Sequence, residues 1–265
     1  VQNLRKRILS GLAAVGALIV KFFSSIKGLL LLLPKLKLLT TSGTALVSIA
    51  AYSLLWGWPF AAGFVVLIFV HEMGHVIQLR REGIKASAPM FIPFLGAAIF
   101  SKSLGNDALA EARVGLAGPI LGTVGAAACL GIGEATNSDM LRALAYVGFF
   151  LNLFNLLPVV PLDGGRAMAA MAPWMWFLGF GALVALAFAF PNPIILIIVL
   201  FAGLETWRRW KSRNDRSLEQ AAYYRVSPRN RLIVGVVYIG LIALLVLGMH
   251  EAHILESAGH SFRSI

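Results

Sequence analysis

Charge is what this sequence has least of. Only 13% of its 265 residues are Asp, Glu, Lys or Arg, about half of the ~25% found in an ordinary soluble domain. Hydrophobic residues make up 58%, and the mean hydropathy is +0.81. A water-soluble globule of this length cannot hide so much apolar surface, so the composition points to a chain resident in the membrane. Acidic residues are scarcest, 12 against 23 Lys and Arg, which leaves a net charge of +11. That balance by itself suits nucleic acid. The basic residues lie between apolar runs, however, where cytoplasmic loops of membrane proteins carry them. No nucleic-acid module and no basic groove with interleaved aromatics is visible, so nucleic acid is not expected as a partner. The lipid bilayer is, with its anionic headgroups facing the basic loops. A single cysteine, Cys129, excludes an internal disulfide and cannot by itself make a zinc site; within its apolar run it reads as a small buried residue. Residues 1–10 have no small-residue site after a clean apolar core, so no cleavable signal peptide is expected there.

What is present is a series of apolar runs near the ~20 residues that a spanning helix needs. They cover about Leu38–Trp56, Pro59–Leu79, Val114–Ile132, Met140–Leu157, Trp174–Phe190, Pro193–Trp207 and Leu232–Met249. An earlier stretch, Leu9–Pro34, is interrupted by Lys21 and Lys27 and reads as an amphipathic helix in the interface. Met90–Phe100 is apolar but punctuated by Pro89, Pro93 and Gly96, which suits a short re-entrant or strand-like element shielded by protein. The fold class expected is therefore an all-α polytopic bundle of about six or seven transmembrane helices. Residues 1–37 form a basic N-terminal segment, 38–207 the membrane core, 208–231 a basic loop, and 232–265 a last span and tail. Lys and Arg cluster before the first span, in the stretch 80–102 and in the loop 208–231, while Gly57-Trp58, Gly133–Asp139 and Pro191–Pro193 carry none. This alternation places the N-terminus and those loops in the cytoplasm. Tyr223-Tyr224-Arg225 reads as a solvated face anchored by interfacial aromatics.

One pattern carries chemistry. His71-Glu72-Met73-Gly74-His75 sits at the cytoplasmic end of an apolar span. Positions i and i+4 lie on one helix face, ~6 Å apart along the axis. Two imidazoles so placed can bind one Zn²⁺, with the glutamate beside it as the base that takes a proton from water. Ionisable groups at membrane depth are costly and usually functional. A third ligand is needed. His250, His253 and His260 lie in the tail on the far side. Asp163 is the better candidate, because Pro158 and Pro161 break the chain on the same side and Gly164-Gly165 allow a close turn. The same carboxylate also suits the N-cap of a helix over Gly164–Met171.

His71–His75 together with Asn155-Leu156-Leu157-Pro158-Val159-Val160-Pro161-Leu162-Asp163-Gly164 resembles the site-2 protease family of intramembrane metalloproteases. The resemblance covers roughly residues 38–207. It implies Zn²⁺ held by His71, His75 and Asp163, Glu72 as general base and then proton donor, and Asn155 against the substrate carbonyl or its oxyanion. Ala117-Gly118-Pro119 also looks like a family segment, but the Asn that often follows is absent, since Ile120-Leu121-Gly122 stand there. A transmembrane protein substrate is implied as the partner, and the plasma membrane of a prokaryote as the location. The Met90–Phe100 segment, with Phe94 and Gly96, offers a strand edge for an extended substrate; a hydrophobic packing element is the other reading. Three rivals stand beside this one. The first is a proteolytically inactive homologue acting as chaperone or regulator, against which the intact Glu72 speaks. The second is a prenyl-processing protease with a glutamate ligand, for which Glu205 stands alone beside Arg208 and suits an interfacial salt bridge better. The third is a zinc transporter, disfavoured because the polar cluster is confined to one end of the bundle.

Overall fold

The structure is a computed structural model that describes residues 41–94, 96–103, 105–190, 193–213 and 217–263. The expected N-terminal amphipathic helix lies outside the described residues.

The first two helices are α1 (Thr41–Trp56) and α2 (Trp58–Arg81), separated by Gly57 at φ 78°. Pro59 sits in the first turn of α2, where its missing N–H costs nothing, and Arg80 and Arg81 close the last turn, where cations suit the helix dipole. The segment expected to be re-entrant or strand-like contains a two-stranded antiparallel hairpin. In it β1 (Met90–Ile92) pairs with β2 (Gly96–Ala98), Phe91 opposite Ala97. The hairpin leans on α1, with Phe91 N–H donating to Thr44 Oγ1 at 3.2 Å and Phe94 N–H to the Tyr52 hydroxyl at 3.1 Å.

α3 (Ala108–Thr136) is the central helix. Asp107 caps its start by accepting from Ala110 N–H at 2.7 Å, and Asn137 ends it in the left-handed conformation. α4 (Asp139–Asn155) starts at Ser138, which accepts from Leu141 N–H. α5 (Asp163–Met171) follows the proline-broken turn. α2, α4 and α5 all pack against α3. Glycines allow the closest approaches. A Cβ at Gly74 would overlap the Ala117 carbonyl, and one at Gly164 the Leu156 carbonyl. Trp176, fully buried, donates its indole N–H to the Gly165 carbonyl at 2.7 Å. It fixes the entry to α6 (Met175–Ala189), which pairs with α7 (Pro193–Arg213). After the short α8 (Leu218–Tyr223), the long α9 (Pro228–Arg263) returns across α4, and its Tyr238 hydroxyl donates to the Leu156 carbonyl.

Among the described residues, three helices are long and apolar enough to cross a membrane: Trp58–Arg81, Ala108–Thr136 and the Pro228–His253 part of α9. α6 is a shorter apolar helix. Many of the large apolar side chains on these elements, such as Val66, Val124, Phe188 and Leu244, face outward. With the composition, this describes a helical membrane protein. Cys129 is half-buried between two apolar clusters.

Candidate metal centre

α2 presents His71 and His75 one turn apart on its buried face, toward α3. α5 presents Asp163, its first residue, from the other side. Leu162, not Asp163, holds the N-cap position of that helix, so the carboxylate is directed elsewhere. His71 Nε2 lies 3.1 Å from Asp163 Oδ2 and His75 Nε2 lies 3.2 Å from the same oxygen. The two Nε2 atoms are 3.2 Å apart. All three side chains are buried.

This triangle fits one small metal ion. Ligand atoms ~2.0–2.1 Å from a tetrahedral zinc stand roughly 3.3 Å from one another, and two imidazoles with a carboxylate are a zinc donor set. The remaining faces of the triangle agree. His71 Nδ1 is 2.8 Å from Asn152 Oδ1, and His75 Nδ1 is 2.7 Å from the Val114 carbonyl oxygen. Both partners accept, so both Nδ1 atoms carry the proton and both Nε2 atoms keep a lone pair for a metal. Gly118 of α3 lies against the triangle, and a Cβ there would overlap the Nε2 atoms of both histidines. Glu72 follows His71 on α2 and is half-buried. Arg166, one turn after Asp163, brings its guanidinium to 3.8 Å from Asp163 Oδ1, the oxygen turned away from the histidines.

Of the residues expected from the sequence, His71, His75 and Asp163 are brought together. Asn155 is half-buried at the last position of α4, three residues after Asn152. Phe94 (φ 64°) lies in the hairpin turn, where its ring packs edge-on to Tyr52 of α1, and Gly96 (φ 91°) opens β2 opposite Ile92. Asn152 was missed by sequence reasoning. Its signal was an amide within the apolar run Val147–Phe154, which has no reason to be there without a buried partner.

A second polar cluster joins the basic loop to the core. Glu111, fully buried in the first turn of α3, accepts from Arg209 of α7 and from the Tyr223 hydroxyl of α8, each at 2.5 Å. Tyr223 is thereby tied inward, which corrects the expectation of a solvated face. Burial and the Glu111 carboxylate push its hydroxyl above the usual tyrosine range. Glu205 pairs with Arg208 and Arg209, both at 3.0 Å, and lies outside the metal-ligating group found among the described residues.

A buried His-His-Asp triangle in a helical membrane protein defines a class, the membrane proteins with a candidate metal centre, and comparison with known proteins narrows it. Residues 59–138 and 132–176 match peptidase family M50. The chain is 27% identical over 163 residues to the zinc metalloprotease MJ0392 of Methanocaldococcus jannaschii, covering 60% of this chain and 46% of that protein. It is 28% identical over 173 residues to Rip3 of Mycobacterium tuberculosis, whose name classes it provisionally as a zinc metalloprotease, covering 59% of this chain and 42% of that one. The chain thus spans about half the length of the curated relatives it matches. These matches, over residues 59–176 and at 27–28% identity, support the resemblance of the paired motifs to the site-2 protease family.

Proposed function

We propose that this protein is an intramembrane zinc metalloprotease that hydrolyses peptide bonds of membrane-spanning or membrane-proximal proteins. The observation that carries this reading is the convergence of His71 Nε2, His75 Nε2 and Asp163 Oδ2 to within 3.2 Å of one another. His71, His75 and Asp163 would hold the zinc, which would supply Lewis acidity and make water a usable nucleophile near pH ~7. His71 and His75 contribute neutral donors, and Asp163 the one negative charge of the donor set. Glu72, adjacent on α2, takes a proton from the attacking water and returns one to the leaving amine. Asn155 offers its amide N–H to the substrate carbonyl as negative charge grows on that oxygen.

Other features of the fold support this reading. The hairpin, with Phe94 in its turn and Gly96 at the start of β2, offers an edge to an extended substrate segment. A groove of about 750 Å³ between α1, α2 and the hairpin, lined by Ile49, Val66, Phe69, Pro89 and Phe91 among others, suits an apolar segment arriving from the bilayer. α1, α4, α6 and α7 join the three long apolar helices in a bundle of about six or seven spans. The Lys and Arg distribution puts the loop 208–231 and the metal centre toward the cytoplasm, of a prokaryotic plasma membrane in this reading.

The test is cleavage of single-span reporter proteins in proteoliposomes by wild type and by Glu72→Gln, with zinc content determined for both. Cleavage by wild type, with a loss of at least ~10²-fold in Glu72→Gln at unchanged zinc content, is the expected result. Zinc bound in full with no reporter cut by wild type would favour a proteolytically inactive homologue instead.

A further inference from the structure

We propose that Asn152 is a positioning residue of the metal centre, whose amide decides which ring nitrogen of His71 faces the metal. The inference rests on the metal-site reading above and deepens it.

The argument starts with how the amide is held. Asn152 is buried in α4, with 4% of its surface exposed. Its Nδ2 donates to the Gly148 carbonyl of its own helix at 2.7 Å. That bond commits the NH₂ end and turns Oδ1 toward His71 Nδ1, 2.8 Å away. The flipped amide would set Oδ1 against the Gly148 carbonyl, two acceptors with no proton between them. Oδ1 therefore stays as the acceptor, His71 Nδ1 must carry the hydrogen, and the Nε2 lone pair is left pointing at Asp163 and His75.

Space for the amide is also built in. Gly122 of α3 faces it, and the atoms nearest to a Cβ at Gly122 are the Asn152 Oδ1, Cγ and Nδ2. The two histidines are anchored differently. His75 is held by the backbone carbonyl of Val114, which no substitution removes. His71 depends on a single replaceable side chain, so its orientation is the weaker point of the donor set. Groups hydrogen-bonded to a ligating histidine typically account for ~10–100-fold in metal affinity.

The experiment measures zinc affinity of the full chain in detergent micelles by competition with a chromophoric chelator. It also records the visible spectrum of the Co²⁺-substituted protein. Asn152→Leu removes the acceptor, and Gly122→Ala displaces the amide while leaving Asn152 present. Expected are a ~10–100-fold weaker affinity and an altered Co²⁺ spectrum for both variants. If Asn152→Leu does not fold, Gly122→Ala decides. Wild-type affinity and spectrum in Gly122→Ala, or in a folded Asn152→Leu, overturns the inference while leaving the metal site standing. Failure of the wild type itself to bind zinc overturns both.

Discussion

Gly118 has no chemistry of its own, yet the metal centre depends on it. Its missing side chain is the space into which both histidine Nε2 atoms project. A methyl group there meets ring atoms on a rigid, buried helix pair, which cannot yield as a flexible surface chain would. Gly118→Ala is expected to abolish stoichiometric zinc binding while α3 still forms, since alanine favours the helix by up to ~1 kcal/mol. Metal content by elemental analysis, read beside helical circular dichroism, checks this. At this scale much of the centre was legible beforehand. His71, Glu72 and His75 carry a spacing that a helix converts directly into shared geometry, and Asp163 was singled out by its prolines and glycines. Asn152 was not found, because its role is a contact between residues 81 positions apart and no local period announces such a contact. Ala117-Gly118-Pro119 was noticed as a motif, but its purpose as a cradle appears only once α2 and α3 are side by side.

Among the elements, α7 is tied to the core by charge. It packs chiefly on α6, and Arg209 reaches across to Glu111 on α3. A carboxylate as buried as Glu111 is costly without its partner. Arg209→Ala is expected to destabilise the protein by about 3–5 kcal/mol, and the double substitution Glu111→Leu with Arg209→Leu by much less, because it removes the uncompensated charge together with its partner. Thermal or denaturant unfolding in detergent measures both. Tyr223 adds a pH dependence. Its hydroxyl is held above the ordinary value of 10.0 by burial and by Glu111. The folded state therefore keeps a proton that the unfolded chain gives up. The stabilisation is complete below the unfolded value and is lost as pH rises beyond it, so the melting temperature of wild type should fall more steeply between about pH 9 and 11 than that of Tyr223→Phe. The sequence announced the basic character of this loop but not its attachment, since Glu111 looks like any acidic residue in a first helical turn. The hairpin was closer to legible, because prolines and a glycine in an apolar run argue against a helix on their own.

For the whole molecule, the candidate zinc ligands join two parts of the chain that only the finished fold brings together. α2 supplies two and α5 the third, with the hairpin, α3 and α4 between them. Metal binding to the folded state alone stabilises it by mass action, about 4 kcal/mol at a thousandfold excess over the dissociation constant. Removing zinc with a chelator is therefore expected to lower the melting temperature of wild type but not that of Asp163→Ala, and restoring zinc to reverse the change. The apolar runs made a membrane bundle readable from composition alone. Which helices touch was not readable, because in a bilayer the outward faces are as apolar as the packed ones and hydrophobicity no longer distinguishes inside from outside.

The same separation of ligands bears on the life of the protein before it is finished. A chain still being inserted holds His71 and His75 long before Asp163 has entered the membrane. Two imidazoles without the carboxylate make an incomplete donor set, so the half-inserted chain lacks the third donor that a zinc site needs. The donor set is complete only when α5 has docked, so zinc capture marks the end of folding and not its beginning.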